Sequence, residues 1–293
     1  MRVVGLGGGH GLASTLRAAR RYADDLAAVV TVADDGGSSG RLTRELGIPP
    51  PGDIRNCLVA LSDDRDAVEL WQHRFASGAL TGHTVGNLII AALTEVNGDF
   101  AAAVEDAARI LRCKGRVYPS TTTLVDLRAR VNGDVVRGQV AVAQTRAPIQ
   151  AVYLKPADPP AHEHAVDAIM NADQVVLGPG SLFTSLIATL LVPGIRKALQ
   201  ETTARRVFVC NTRMQKGETE GLSAASHVEA LLAHAGPNAV DVVVVQSPVL
   251  AEDGVVADDD LGFSGIKIVR ADVAGLDGAH DPERLAGVLS ELA

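Results

Sequence analysis

Residues 1–12 read M-R-V-V-G-L-G-G-G-H-G-L, and they decide the fold. Residues 2–6 form a short apolar run with two valines, the length of a buried strand. Gly7, Gly8, Gly9 and Gly11 follow, and residues 13–22 carry helical spacing. Strand, glycine loop and helix are the parts of a phosphate site. Glycines remove the Cβ atoms that hold a phosphate away, and the helix start adds unpaired N–H donors and a positive dipole end. The loop therefore offers Gly8, Gly9, His10 and Gly11 as ligand-facing positions. It fits the dinucleotide fingerprint G-x-G-x-x-G only loosely, because His10 stands where a glycine or alanine is expected. Such a loop also fits an ordinary tight turn, so the rest of the chain has to decide.

Composition narrows the classes. The chain has 293 residues, enough for a substantial core, and 47% are hydrophobic, which excludes a disordered chain. Net charge is −8, from 27 basic and 35 acidic residues, and this argues against general binding to nucleic acid or an anionic membrane surface. Aromatic residues at 3% provide no stacking platform for single strands. A small phosphorylated ligand stays compatible, since local backbone donors decide that binding. Cys57, Cys113 and Cys210 are widely spaced and form no C-x-x-C pair, which suggests a reducing compartment. There is no signal-peptide pattern and no apolar run near the ~20 residues of a membrane span, so a cytoplasmic protein is expected.

Outward from the opening, residues 27–32 (A-A-V-V-T-V) read as a second buried strand at βαβ distance, ending in A-D-D-G-G-S-S-G-R-L. In a parallel sheet the carboxyl ends of strands form the ligand crevice, which places Asp34 and Asp35 beside the glycine loop. The pair can hold a ribose hydroxyl or Mg²⁺; a capped turn is the plainer alternative. In P-P-G-D-I-R-N-C-L, Asp53 is placed to cap a helix running through Leu61, with Arg55 and Asn56 in its first turn. Residues 68–75, 85–96 and 101–113 have helical spacing. The second of these opens in T-G-H-T-V-G-N-L, where His83, Thr84 and Asn87 either reach a ligand or simply cap and pack.

Residues 116–156 change texture. An Asn132-Gly133 turn between residues 124–131 and 135–143 signals a hairpin, hence a small antiparallel β insert. The parallel pattern resumes at residues 172–177, followed by G-P-G-S-L-F-T-S, so Gly180 and Ser181 repeat the strand–glycine-turn–helix logic as an anion-binding turn. Residues 206–211 form a further strand leading into T-R-M-Q-K-G-E-T-E-G, which sets Arg213, Gln215, Glu218 and Thr219 on a crevice-side loop. Residues 240–245 are the last clear strand, and the end reads as a short strand, a loop with His280 and Asp281, and a closing helix. His162-Glu163-His164 lacks a third ligand at metal spacing and reads as a solvated helix start. The expected architecture is α/β: a Rossmann-like, mostly parallel sheet flanked by helices, in one domain over residues 1–293.

Taken together in order, G-G-G-H-G-L, V-A-D-D-G-G-S-S-G-R-L, P-P-G-D-I-R-N-C-L-V-A-L, G-H-T-V-G-N-L, G-P-G-S-L-F-T-S and K-G-E-T-E-G resemble the YvcK family, also called GlmR or CuvA, the gluconeogenesis-factor branch of the CofD-like superfamily. The resemblance implies a Rossmann-like sheet and a cytosolic bacterial protein needed for cell shape and wall synthesis on gluconeogenic carbon sources. It implies a UDP-sugar ligand, notably UDP-N-acetylglucosamine, with no required cofactor beyond an optional Mg²⁺, and a regulated enzyme of amino-sugar synthesis as partner. It also implies ligand contacts from Gly8, Gly9, Gly11, Asp34, Asp35, Asn56, Asn87, Gly180, Ser181 and the Arg213 loop. A homo-oligomer is expected. Relatives often carry Arg-His-Asp near the end, where this chain has Ala279-His280-Asp281, and Arg213 is a candidate to supply that missing cation.

Three functions compete. The first is a UDP-sugar-responsive regulator without turnover, since several donor loops surround one crevice and no nucleophile–base pair is recognisable. The second is a CofD-like phospholactyl transferase, with Mg²⁺ held by Asp34, Asp35 and Asp53. The third, a nicotinamide-dependent oxidoreductase, is weakened by the poor fingerprint fit.

Overall fold

The computed structural model describes residues 1–257 and 262–293. In chain order its strands are β1 (Arg2–Gly7), β2 (Asp25–Val30), β3 (Arg116–Pro119), β4 (Asp126–Val131), β5 (Asp134–Arg137), β6 (Ile149–Lys155), β7 (Gln174–Leu177), β8 (Arg205–Val209), β9 (Val242–Gln246) and β10 (Lys267–Ala271). Seven of them form one sheet in the order β10-β9-β8-β7-β1-β2-β3, and every pairing in it is parallel. The expected Rossmann-like α/β architecture is observed.

The strands belong in the middle because both of their faces are apolar. Side chains alternate across a strand, so Val4 and Leu6 join Val175, Leu177, Phe208 and Val243 in one core layer. Val3 joins Val176, Val207, Val242 and Val244 in the other. Each such residue is withdrawn from water almost completely, a gain of about 1.5–3 kcal/mol apiece.

The order places the topological switch at β1. The chain goes from β1 to β2 and β3 on one side, then returns to put β7, β8, β9 and β10 on the other. In such a sheet the carboxyl ends of β1 and β7, at the switch point, are where a ligand crevice is expected. Register fixes its floor: Leu6 pairs with Leu177, so the turns starting at Gly7 and Gly178 stand side by side.

The smaller antiparallel sheet has the order β5-β4-β6. It differs from expectation in two ways. β3, within the stretch read as insert, completes the edge of the parallel sheet beside β2. The run 135–143 is not one strand: it stops at Arg137, Gly138 follows at φ +88°, and Gln139–Ala143 is helical. A left-handed glycine ends the ladder, and an outside carboxylate holds the next turn as a helix, as shown below. Among the described residues, no single helix is long and apolar enough to cross a membrane.

Candidate functional site

The first glycine turn is more compact than its sequence suggested. The helix begins at Gly9, not near residue 13, and runs Gly9–Ala19, with Gly8 extended at its N-cap. Gly9, His10 and Gly11 are thus the first helical turn. Here close approach explains the glycines. A Cβ on Gly8 would overlap the Asp53 carboxylate and stand 2.9 Å from Thr31 Cγ2. One on Gly11 would overlap the Pro179 carbonyl oxygen and stand 2.6 Å from Gly180 Cα. Gly11 is accordingly a packing glycine at the contact of the two turns, while His10 is exposed. The N–H groups of His10 and Gly11 have no acceptor among the described residues, as the start of a helix leaves them.

Two threonines bolt the turns together. Thr15 Oγ1 donates to Gly178 O at 2.6 Å, and Thr189 Oγ1 donates to Gly7 O at 3.2 Å.

Asp53 is the central acid of the crevice. It does not cap its own helix, Gly52–Leu61, whose N-cap is Pro51 without a side-chain bond. Its carboxylate instead accepts the Gly9 N–H, and burial, then the neighbouring Asp34, raise its pKa to about 7. Asp53 Oδ2 is buried and has no partner. Asp34 is also pushed above the usual carboxylate range, mainly by burial, although its Oδ1 accepts the Gly36 N–H at 2.9 Å.

Asp35 goes elsewhere. Its Oδ1 accepts the Val140 N–H at 2.9 Å, so it caps the short Gln139–Ala143 helix of the insert. Neighbours in sequence thus make different hydrogen bonds, while charge repulsion links Asp34 to both Asp53 and Asp35. Arg55 is buried rather than on the surface. It donates to Asn56 Oδ1 at 2.6 Å and leaves Nε without a partner.

Along the same wall, Asn87 Nδ2 donates to Ser38 Oγ at 3.1 Å, and Ser38 Oγ lies 3.0 Å from His83 Nδ1. His83 is nearly enclosed behind Ser38, and Asn87 Oδ1 and Thr84 Oγ1 are buried without partners. Thr84 stands at the N-cap of Val85–Asn97 but makes no side-chain cap bond.

The second turn differs from the first in that side chains of the protein itself engage several of its donors. Asn211 brackets Gly180, accepting its N–H at 3.0 Å and donating Nδ2 to its carbonyl at 2.9 Å. Ser181 Oγ accepts from Gln215 Nε2 at 3.2 Å. Beyond it, Phe183 N–H and Thr184 N–H, at the head of the π-helical segment Leu182–Ile187, donate to Glu218 Oε1 at 2.6 and 2.8 Å. Glu218, buried and with its pKa raised by that burial, stands where an anion would sit. Asn211 had no role in the sequence reading, and Glu218 was placed on a crevice-side loop without its part in the second turn; polar residues beyond β8 were the signal.

Arg213 remains exposed, its guanidinium laid against Gly278, beside Ala279. The loop below it is fixed by Thr212 Oγ1 donating to Gly278 O at 2.6 Å and by His280 Nε2, 3.1 Å from Cys210 O. Burial lowers the His280 pKa to about 4. His162 and His164 pack around Tyr118 away from the crevice, and no group of three or more metal-ligating side chains occurs among the described residues.

With this geometry in view, comparison with known proteins is informative. A family model described as 2-phospho-L-lactate transferase CofD matches residues 3–279. The putative gluconeogenesis factor of Mycobacterium tuberculosis (strain H37Rv) is 46% identical over 307 residues, covering 98% of this chain and 89% of the relative. The gluconeogenesis factor of Bacillus subtilis (strain 168) is 46% identical over 244 residues, covering 82% and 77%. A crystal structure of a UPF0052-family protein from Bacillus halodurans superposes with a TM-score of 0.95 at 36% identity, covering 98% of each chain. The chain belongs to the CofD family, in its gluconeogenesis-factor (YvcK) branch.

Proposed function

We propose that this protein is a cytoplasmic regulator that binds a UDP-sugar, UDP-N-acetylglucosamine first among them, and acts on an enzyme of amino-sugar synthesis rather than turning its ligand over. The observation that carries the reading is the asymmetry of the two glycine turns. At the first, the His10 and Gly11 N–H donors are unspent at the switch point of the sheet. At the second, Asn211 and Glu218 engage the Gly180, Phe183 and Thr184 donors, and the Glu218 carboxylate stands against a further anion. One diphosphate position on the first turn is the economical arrangement, with the exposed Arg213 as the adjoining cation. Asn56 and Asn87 flank the same wall and suit the polar edges of a base or sugar.

A transferase of the CofD type is the second reading, and Asp53 favours it. Its orphaned Oδ2 beside Asp34 fits Mg²⁺, an ion held by one or two carboxylates together with ligand phosphates. Asp34 and Asp53 would hold the ion, which neutralises phosphate charge when bound. The Gly9 N–H keeps the Asp53 carboxylate oriented for either role.

Calorimetric titration with UDP-N-acetylglucosamine, GDP and NAD, with and without Mg²⁺, separates these readings when combined with product analysis. Saturable binding of the UDP-sugar with no product supports the regulator. Preference for GDP, or consumption of a nucleotide-linked substrate, overturns it in favour of the transferase.

A further inference from the structure

The end of the sheet opposite the crevice holds a groove of about 680 Å³ lined by Arg17, Arg20, Arg21 and Lys114. A second groove of about 240 Å³ continues it, sharing Arg17 and Arg20 and adding Arg65. This is a concentration of positive charge on a chain whose net charge is −8.

Three acids line the larger groove, but two are engaged with cations outside it. Asp24 binds the terminal ammonium of Met1, and Asp25 binds Arg116. Only Asp63 answers the groove itself, and it is shared between Arg20 and Lys114. Arg17 and Arg65 have no ion-pair partner among the described residues, and Arg21 reaches Glu283 only at 3.9 Å.

Helix dipoles account for part of this. Arg17 and Arg20 lie at the carboxyl end of Gly9–Ala19, where a cation is favourable, and Arg20 also donates to Ala60 O at 3.1 Å. They do not account for Arg65, the first residue of the Arg65–Gln72 helix, where the dipole opposes a cation. At Arg17 the favourable helix end is opposed by burial and by Arg20 beside it, which lower its pKa below the usual arginine value. An unanswered guanidinium next to a like charge costs free energy that a bound anion returns.

We propose that these adjoining grooves are a second binding site, separate from the crevice, for a small metabolite carrying two or more phosphates. Guanidinium forks match phosphate oxygens two at a time, and the volume falls within the ~300–1,000 Å³ range of small-molecule sites. Arg17 and Arg65 supply the unpaired guanidinium groups, with Arg21 held only by its 3.9 Å contact to Glu283; Arg20 and Lys114 are held in place by Asp63.

The test is calorimetric titration of the full chain with inorganic tripolyphosphate in 150 mM-class salt, about the physiological ionic strength, where weak surface attraction is screened. The wild type is expected to bind one equivalent. Arg17→Gln with Arg65→Gln is expected to weaken binding at least tenfold, whereas Arg17→Lys keeps part of it. Saturating UDP-N-acetylglucosamine, the ligand proposed for the crevice, is expected to leave tripolyphosphate binding unchanged. Circular dichroism confirms that each variant is folded. Absence of saturable binding to the wild type overturns the proposal, as does full affinity in the double variant. Displacement of tripolyphosphate by UDP-N-acetylglucosamine assigns the anion to the crevice instead and overturns the proposal. Binding of an acidic peptide such as hexaglutamate with no binding of tripolyphosphate also overturns it, in favour of a protein-docking surface.

Discussion

The carboxylate of Asp53 accepts the N–H of Gly9, tying the start of the Gly52–Leu61 helix to the first glycine turn. Its other oxygen is buried and unpartnered. Burial of this carboxyl and the nearby Asp34 outweigh the Gly9 contact, which gives a pH prediction with a definite sign. In the unfolded chain Asp53 ionises near 4, whereas in the folded protein it does so at about 7. Between those values the native state binds more protons, so the contribution is fully present below about pH 4 and is lost as pH rises through 7. Urea unfolding of the wild type is expected to show stability falling from pH 5 to pH 8 through this group. Asp53→Asn keeps an acceptor for Gly9 and removes the charge, so the variant should gain a few kcal/mol relative to wild type at pH 8 and little at pH 5.

Mg²⁺ dependence follows the geometry rather than the sequence pair. Any Mg²⁺-dependent increase in nucleotide-sugar affinity should disappear in Asp34→Asn and Asp53→Asn and persist in Asp35→Asn. Titration of the three variants with and without the ion checks this. Loss in Asp35→Asn alone would restore the adjacent pair as the ion's ligands.

Asp35 has a different expected phenotype. Asp35→Ala removes the acceptor of the Val140 N–H, a cap contact worth about 1 kcal/mol. Hydrogen exchange should quicken at residues 139–143 while the parallel sheet stays protected.

Glu218→Ala leaves the Phe183 and Thr184 N–H groups buried without an acceptor. The expected loss is about 2–4 kcal/mol in denaturant unfolding, since each orphaned group carries its own desolvation cost. Glu218→Gln retains one carbonyl oxygen and should lose distinctly less.

Two glycines give opposite outcomes when changed to alanine. In Gly11→Ala the new methyl meets the backbone of Pro179 and Gly180, so the turns must part, and both stability and ligand binding should fall. Gly287 lies in the Pro282–Glu291 helix with open space around its Cβ position, so Gly287→Ala should raise stability by about 0.5–1 kcal/mol. Thermal melts of the pair check both signs. Gly9 is a poor site for a comparable test, because its φ of +60° would strain any side chain before a ligand met it.

The parallel sheet was legible because its strands are short apolar runs ending in glycine or acid, and both glycine turns appeared at those ends. What stayed hidden were decisions made by distant partners. Nothing within residues 135–143 says that Asp35 will cap the segment and turn it helical. Nothing near Asp53 says that it will face Gly9 rather than its own helix, since the residue type suits both. Glu218 fills the second turn from a loop 34 residues beyond Thr184, a relation that periodicity cannot express.

The pairing of β1 with β7 has a consequence for synthesis. Arg2–Gly7, an interior strand of the sheet, pairs early with Asp25–Val30 but meets its other neighbour only at Gln174–Leu177. At about 5–20 residues per second, a ribosome needs roughly 10–35 s to deliver that partner after the first strand is made. Throughout that interval one edge of β1 and the apolar layer beneath Val4 and Leu6 lie open. The nascent chain is therefore expected to be a client of chaperones that shield unpaired strands, and its crevice comes into being late, when the second turn closes on Gly11.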